Sequence, residues 1–266
     1  MLIIGERINS TRNVVKKAIA ARDANFILKE AKAQLEAGAH FIDIKCAMGL
    51  DNEVLDMDWV ISVIQSGLKG VSICIDSPNY LAVDRALAVY KTSGELMINS
   101  ITGEDSRIRH IVPLAAKHKA KLIALTMNEK GMPDTAEERY EIAKEILTKI
   151  KKEGFREEDL YFDPLIRPVS TEPKQADEFL KAIPLIKSLG GVKTICGLSN
   201  VSFGLPARSA INATFLVMAV QAGLDAAILD PLDKRVMSSL SASKALVAKD
   251  EYCAEYIRAF REGKLT

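Results

Sequence analysis

The stretch VSICIDSPNYLAVDRALAVYKTSGELMINS, residues 71–100, contains the repeating unit of this chain. Two short apolar runs, VSICID and ELMIN, flank a segment whose apolar residues recur at helical spacing. The first run ends at Asp76 and the second ends at Asn99. A strand, a helix and a second strand in this order make the two strands parallel. We therefore expect both polar side chains at the same edge of one sheet.

The same unit recurs along all 266 residues. We predict eight strands, which are LIIGERI (2–8), FIDIKC (41–46), SICID (72–76), ELMINS (95–100), KLIALTM (121–127), LYFDPL (160–165), KTICGLS (193–199) and AAILDP (226–231). Helix-like segments separate them, and the clearest, at 135–154, is predicted to start at a capping box of Asp134 and Glu137. Strict alternation favours a (β/α)8 TIM barrel formed as one domain over residues 1–266. The alternative is an open doubly wound sheet, but the glycine-rich dinucleotide fingerprint is absent.

Composition narrows the class of protein. A net charge of +1 gives no overall attraction to nucleic acid or to an anionic membrane. The richest late apolar stretch, residues 213–223, is too short to span a bilayer, and MLIIGERIN lacks the pattern of a signal peptide. The four cysteines are widely spaced and form no metal or redox pair. These features predict a cytoplasmic protein without disulfides.

Polar residues stand where each predicted strand ends, which is where TIM barrels build their active sites. They are Glu6, Asn9, Asp43, Lys45, Asp76, Asn99, Thr126, Asn128, Asp163, Ser199, Asn200 and Asp230. None is histidine, so neither a Ser-His-Asp triad nor a zinc site is predicted. Carboxylates and carboxamides suit a flat ring with adjacent N–H donors, such as a pterin or a guanine. The competing interpretation is that Asp76, Asp163 and Asp230 cap the helices that follow them.

Longer motifs carry a resemblance to a known family. They are GERIN (5–9), DSPN (76–79), INS (98–100), LTMNEKGMP (125–133), YFDPLIRPVST (161–171) and GLSNVSFGLPARS (197–209). In this order and spacing they resemble the methyltetrahydrofolate:corrinoid-protein methyltransferases. That family consists of pterin-binding barrels similar to the folate domain of cobalamin-dependent methionine synthase.

The resemblance implies roles for individual residues. Asp76, Asn99 and Asp163 are implied to hold the pterin, and Asn200 to reach N5, the nitrogen that carries the methyl group. Substrate-binding positions implied around them, or expected from their place at the strand ends, are Asp43, Gly197, Ser199, Arg208, Glu6, Asn9 and Lys45. Arg208 is expected either at the folate tail or in a salt bridge within its own loop. Asp230 is left to helix capping.

Lys45 departs from the family pattern. Family members commonly read Asp-Val-Asn-Cys-Ala where this chain reads Asp43-Ile44-Lys45-Cys46-Ala47. Pairing is the usual way in which a partly buried charge is kept, so we expect Lys45 to form an ion pair with Asp43 or another acid of the ring. The direction of methyl transfer stays open, with Lys45 favouring transfer from methylcorrinoid to tetrahydrofolate in a demethylase system.

The resemblance also implies partners. The chain lacks an Asp-x-His-x-x-Gly corrinoid signature, so cobalamin is expected on a separate corrinoid protein docked at the barrel mouth. A homodimer is implied by the family, and no bound metal is expected. Dihydropteroate synthase is the nearest rival enzyme, but its Gly-Gly-Glu-Ser-Thr-Arg-Pro-like loop is replaced by Lys-Cys-Ala-Met-Gly at 45–49. A non-catalytic pterin-binding barrel and a barrel with an unrelated small-molecule substrate also stay open.

Overall fold

A computed structural model describes residues 1–47 and 52–265 of the chain. Over this part, all eight predicted runs form parallel strands that close into a barrel in sequence order, which confirms the TIM barrel. The strands are β1 (Leu2–Asn9), β2 (Phe41–Lys45), β3 (Ile73–Asp76), β4 (Leu96–Ile101), β5 (Lys121–Leu125), β6 (Leu160–Asp163), β7 (Lys193–Gly197) and β8 (Ala226–Leu229).

Helices surround the barrel, and those that precede β8 connect consecutive strands. They are α1 (Asn13–Ala20), α2 (Ala24–Glu36), α3 (Glu53–Gly67), α4 (Tyr80–Val89), α5 (Asp105–His118), α6 (Ala136–Lys152), α7 (Gln175–Lys187), α8 (Arg208–Ala222), α9 (Lys234–Leu246) and α10 (Ala254–Arg261). In the described part of the chain, no helix is both long and apolar enough to cross a membrane.

The barrel interior begins with a layer of eight buried side chains, one from each strand. They are Ile4, Phe41, Cys74, Met97, Ile123, Tyr161, Ile195 and Ala226. A second, larger core lies between the outer face of the strands and the helices and includes Ile42, Ile44 and Ile98. Side chains alternate between the two faces of a strand, so the next inward position is two residues further along. The position of the interior layer therefore determines which residues of each strand point into the barrel at its carboxyl end.

The start of α6 corrects one detail of the sequence prediction. The capping box is formed by Thr135 and Glu138, not by Asp134 and Glu137. Thr135 has extended backbone angles, and its hydroxyl accepts a hydrogen bond from the N–H of Glu138. The Glu138 carboxylate in turn accepts one from the N–H of Thr135. Asp134 lies one residue too early, and its own N–H also donates to Glu138. The predicted stop is supported by Gly154, which has a positive φ just after the helix.

Helix α1 was not predicted from the sequence. It is a single eight-residue helix between β1 and α2, and it buries Val15, Ala18 and Ile19. The segment is too short for its periodicity to stand out, and a helix of this length depends on packing for its stability. The β1–β2 connection therefore contains two helices in place of one.

Candidate active site

The strand register brings the predicted polar residues to the carboxyl end of the barrel but not to a single level: Asp76 is level with Lys45 and Asn99, whereas Asp43 is level with Cys74. Two positions beyond the interior layer stand Glu6, Asp43, Asp76, Asn99, Leu125, Asp163, Gly197 and Ile228. Cα pairing aligns Lys45 with Asp76 and Asp76 with Asn99 across β2, β3 and β4. The polar side chains of three consecutive strands are thereby adjacent at the carboxyl end of the barrel.

The first group of site residues lies on β2, β3 and β4. The Lys45 Nζ atom donates to Asp76 Oδ2 at 2.8 Å, so the predicted ion pair is made with Asp76. These two side chains and Asn99 line a cavity of about 400 Å³, whose wall also includes Leu125 and Arg107. The cavity combines a carboxylate, a carboxamide and an apolar side chain, a set that suits the edge and face of a flat polar ring.

Asp43 lies beneath this cavity and is buried. Burial is the main cause that raises the pKa of Asp43 well above its ordinary value, and the negative charge of Asp76 adds to it. The hydrogen bond with Cys74, the positive charge of Lys45 and the hydrogen bond with Asn99 oppose the rise. Its Oδ1 atom has no hydrogen-bond partner. Burial also raises the pKa of Asp76, but there the charge and hydrogen bond of Lys45 oppose the rise. The proton of this acidic pair is therefore favoured on Asp43, and the charge on Asp76.

Arg107 braces the loops around the cavity, a role that the sequence did not reveal. Its guanidinium donates to the carbonyl oxygens of Ser100 at 2.9 Å, Ser77 at 2.6 Å and Pro78. These three carbonyls belong to β4 and to the loop after β3. Arg107 is in the first turn of α5, where an arginine looks like any solvent-exposed charge of an amphipathic helix. Nothing about its position in the sequence indicated that it would bind these carbonyl groups.

The second group of site residues lies on β6, β7 and β1. Asp163 at the end of β6 is buried and accepts from the backbone N–H of Leu165 at 2.8 Å and from that of Gly197. Burial raises its pKa to about 6, and the two backbone hydrogen bonds oppose that rise. Near neutral pH the carboxylate form can accept N–H groups of a ligand. Neither Asp163 nor Asn200 lines the 400 Å³ cavity beside Asp76.

The loop after β7 places Asn200 beside Gly197. A single 3₁₀ turn, Leu198–Asn200, follows the strand and leaves the Asn200 side chain exposed. A Cβ atom added to Gly197 would come within 3.1 Å of Asn200 Nδ2. Because Gly197 has no side chain, the carboxamide of Asn200 can lie against it.

Glu6 and Arg208 fix the same loop from two sides. The Ser199 hydroxyl donates to Glu6 Oε1 at 2.6 Å, and burial raises the pKa of Glu6. Arg208 donates to the Ser199 carbonyl oxygen at 2.6 Å and to Ser202 Oγ at 3.0 Å. Of the two alternatives for Arg208, the salt bridge is therefore replaced by hydrogen bonds to neutral groups, and contact with the folate tail stays a prediction.

Two strand-end residues have structural partners instead of a place in the cavity. Asn9 Oδ1 accepts from the N–H and the hydroxyl of Thr11, which closes a turn. Asp230 binds Arg7 at 2.7 Å and accepts from the N–H of Leu232. The N-cap of α9 is Asp233, so helix capping by Asp230 was wrong.

Capping was also the wrong interpretation for Asp76 and Asp163. Asn79 caps α4 through its side chain, and Lys174 precedes α7 without a side-chain cap. Both aspartates lie several residues before these helices. Their carboxyl groups lie instead at the carboxyl end of the barrel, where Asp76 binds Lys45 and Asp163 accepts from backbone N–H groups.

Comparison with known proteins identifies relatives of this chain over most or all of its length. The chain matches the family model described as pterin binding enzyme over residues 5–230. It is 34% identical to a methylcorrinoid:tetrahydrofolate methyltransferase of Eubacterium limosum, over 100% of this chain and 98% of that protein. It is 33% identical to a methionine synthase of Mycobacterium tuberculosis, over 94% of this chain and 22% of that longer protein.

Solved structures with the same fold include dihydropteroate synthases. Those from Stenotrophomonas maltophilia and Xanthomonas albilineans superpose with TM-scores of 0.69 and 0.71, each at 19% identity. The superposition covers 93% of this chain with both, and 93% and 92% of those chains. At that identity the likeness extends to the barrel alone. Part of the loop that separates this chain from those enzymes, Met48 and Gly49, lies outside the described residues. The family match and the full-length relative show that this chain belongs to the pterin-binding enzymes.

Proposed function

We propose that this protein is a methyltransferase that moves a methyl group from a methylcorrinoid, carried by a partner protein, to N5 of tetrahydrofolate. The observation that carries the proposal is the full-length similarity to a methylcorrinoid:tetrahydrofolate methyltransferase, whose name gives this direction. The strand-end groups supply the chemistry that a pterin needs. The alternative of a dihydropteroate synthase is supported by the fold alone.

The pterin is proposed to lie across the barrel mouth, held by the acceptors on either side. Asp76 and Asn99 are neighbours by strand register and share one cavity. Asp163, which is ionised above a pKa of about 6, accepts two ring N–H groups from the other side. Asp43 supports Asn99 from below through their hydrogen bond.

Asn200 is proposed to lie at N5. In the proposed direction N5 gains the methyl group and loses a proton, while the electron pair of the broken cobalt–carbon bond stays with the corrinoid. A carboxamide does not titrate near neutral pH, so Asn200 acts through a hydrogen bond to N5. Glu6 and Arg208 keep its loop in place through Ser199. The proton leaves through water and the surrounding carboxyl groups.

The exposure of Asn200 also supports a corrinoid protein as the partner. A group that meets a methyl donor on another protein must be reachable from solvent before the complex forms, and Asn200 is exposed at the mouth. We further propose that residues 1–266 form one domain, that the protein is a homodimer, and that it works in the cytoplasm. Free thiols such as Cys46, Cys74 and Cys196 suit that compartment.

The test is a single-turnover reaction under anaerobic conditions. Tetrahydrofolate and methylcobalamin are mixed with enzyme, and the loss of methylcobalamin is followed by absorbance. Asn200→Ala should lower the rate by about 100-fold, the lower end for loss of one hydrogen bond that stabilises the transition state, and should weaken folate binding with the fold intact. Asn25→Ala, an exposed asparagine on α2, is the matched control. A wild-type rate in Asn200→Ala excludes the role given to this residue, and absence of transfer by the wild type both from free methylcobalamin and from a methylated corrinoid protein excludes the function.

A further inference from the structure

Lys45 places a positive charge beside the hydrogen-bond acceptors of the proposed pterin site. Its ammonium group lies 2.8 Å from Asp76 Oδ2, and both side chains line the 400 Å³ cavity. Lys45 is 30% exposed and Asp76 is 19% exposed, so the pair is partly shielded from water but open to a ligand. The bond is made to Oδ2, which leaves the Oδ1 oxygen for a ring N–H.

We propose that Lys45 is a positioning residue for the pterin, which holds Asp76 as an ionised and correctly oriented acceptor. The inference deepens the proposed function and depends on it. Lys45 does not need to touch the reacting atoms, because it acts through the carboxylate that it binds.

The physical reason is the proximity of two acids. Asp43 and Asp76 lie on adjacent strands, and Asp43 is fully enclosed. The negative charge of Asp76 raises the pKa of buried Asp43, so the two carboxyl groups do not easily ionise together and one of them is favoured to keep a proton. If that proton moved to Asp76, this side chain would become a donor facing the N–H groups of the ring. The ammonium group on Asp76 directs the proton to Asp43 instead.

Other charges around Asp76 do not replace Lys45. The groups that face the cavity or act on the pair are Asp43 on β2, Cys74 on β3, Glu53 on α3, Glu104 before α5 and Arg107 on α5. Arg107 is the other cation among them, and it is held by three backbone carbonyls. Glu53 binds the Ser77 hydroxyl and adds negative charge. Lys45 is therefore the cation with a direct hydrogen bond to Asp76.

The test is the pH dependence of folate binding. Binding of 5-methyltetrahydrofolate is measured by calorimetry between pH 5.5 and 8.5 for wild type, Lys45→Met and Lys45→Arg. Because Asp163 titrates in all three proteins, the ratio of variant to wild-type Kd isolates the effect at position 45. A nearby opposite charge favours the ionised form of a carboxyl group, so removal of the ammonium group should raise the pKa of Asp76.

The inference predicts that the ratio of the Lys45→Met Kd to the wild-type Kd rises as the pH falls, because Asp76 without its ammonium partner takes up a proton at a higher pH. The Kd of Lys45→Met should approach the wild-type value at pH 8.5, and Lys45→Arg should restore the wild-type profile. Lys187→Met is the control, because Lys187 forms a comparable ion pair with Asp225 at 2.7 Å before β8, at the opposite end of the barrel. If Lys45→Met does not fold, Lys45→Gln takes its place.

The outcomes separate this inference from the function on which it depends. Tighter binding by Lys45→Met at every pH would mean that the lysine blocks Asp76, and an unchanged pH profile would mean that it does not control Asp76. Either result overturns the role of Lys45 and leaves the methyltransferase intact. Failure of the wild type to bind 5-methyltetrahydrofolate overturns both proposals.

Discussion

Replacing Asp163 with asparagine should make the protein more stable and a poorer binder of folate. Asp163 is buried at the end of β6, and burial raises its pKa from 3.8 to about 6. One pKa unit corresponds to 1.36 kcal/mol, so ionising this carboxyl in the folded protein costs about 3 kcal/mol relative to the unfolded chain. Asparagine has nearly the same shape and carries no charge.

The sign follows from proton linkage. Below pH 3.8 Asp163 is protonated in both states and causes no loss of stability. As the pH rises towards 6, the unfolded chain releases its proton first, and the wild type loses up to about 3 kcal/mol of unfolding free energy. Asp163→Asn does not titrate. The difference in unfolding free energy between variant and wild type should therefore grow between pH 4 and pH 6.5 and then remain constant.

The assays are urea denaturation across this pH range and calorimetry with 5-methyltetrahydrofolate at pH 7.5. A charged hydrogen bond contributes about 1.5–3 kcal/mol, so Kd should rise by about 10- to 150-fold in Asp163→Asn. Asp105→Asn is the control, because Asp105 is exposed and its partner Lys149 lowers its pKa, so its removal should bring no such gain. A stability difference that does not change with pH, or an unchanged Kd, would refute the reasoning.

Two further substitutions test how the loops are held. Gly197→Ala should displace Asn200 from its position and slow methyl transfer about tenfold or more in the single-turnover assay, whereas folate binding through Asp163 should persist. Gly103→Ala is the control, because a Cβ atom at position 103 would also meet a neighbour at 3.1 Å but away from Asn200. Arg139→Met should lower the unfolding free energy by about 2–3 kcal/mol in urea denaturation, because buried Arg139 donates to the Pro164 carbonyl at 2.6 Å and to Gln175 at 2.5 Å. Arg156→Met, which removes an exposed surface pair, should leave the urea midpoint nearly unchanged, and equal effects of the two substitutions would contradict this expectation.

The barrel itself could be read from the sequence because its signals are local. Each apolar run and each amphipathic segment is defined within a few residues of itself, and strict alternation leaves few topologies. The same logic placed Asp76, Asn99 and Asp163 at one end, since the carboxyl ends of parallel strands meet there. Their assignment to a pterin came from the resemblance of longer motifs, because residue chemistry alone led only to a flat ring with N–H donors.

Details set by single backbone angles were less accessible. The N-cap of α6 moved by one residue from Asp134 to Thr135, since a cap depends on which residue takes the extended conformation. Asp230 was assigned to capping, but its carboxylate turned towards Arg7, 223 positions away in sequence. No local pattern encodes a contact at such a separation.

The sequence by itself therefore determined the order of strands and helices and the end of the barrel at which the polar strand-end residues meet. Only the tertiary structure decided how the charges there are paired. Register aligns Lys45 with Asp76, leaves Asp43 buried below them, and brings Arg107 against three carbonyl groups. The physical reason is that alternation along a strand is a property of neighbouring residues, whereas an ion pair depends on the distance between strands that the closed barrel fixes.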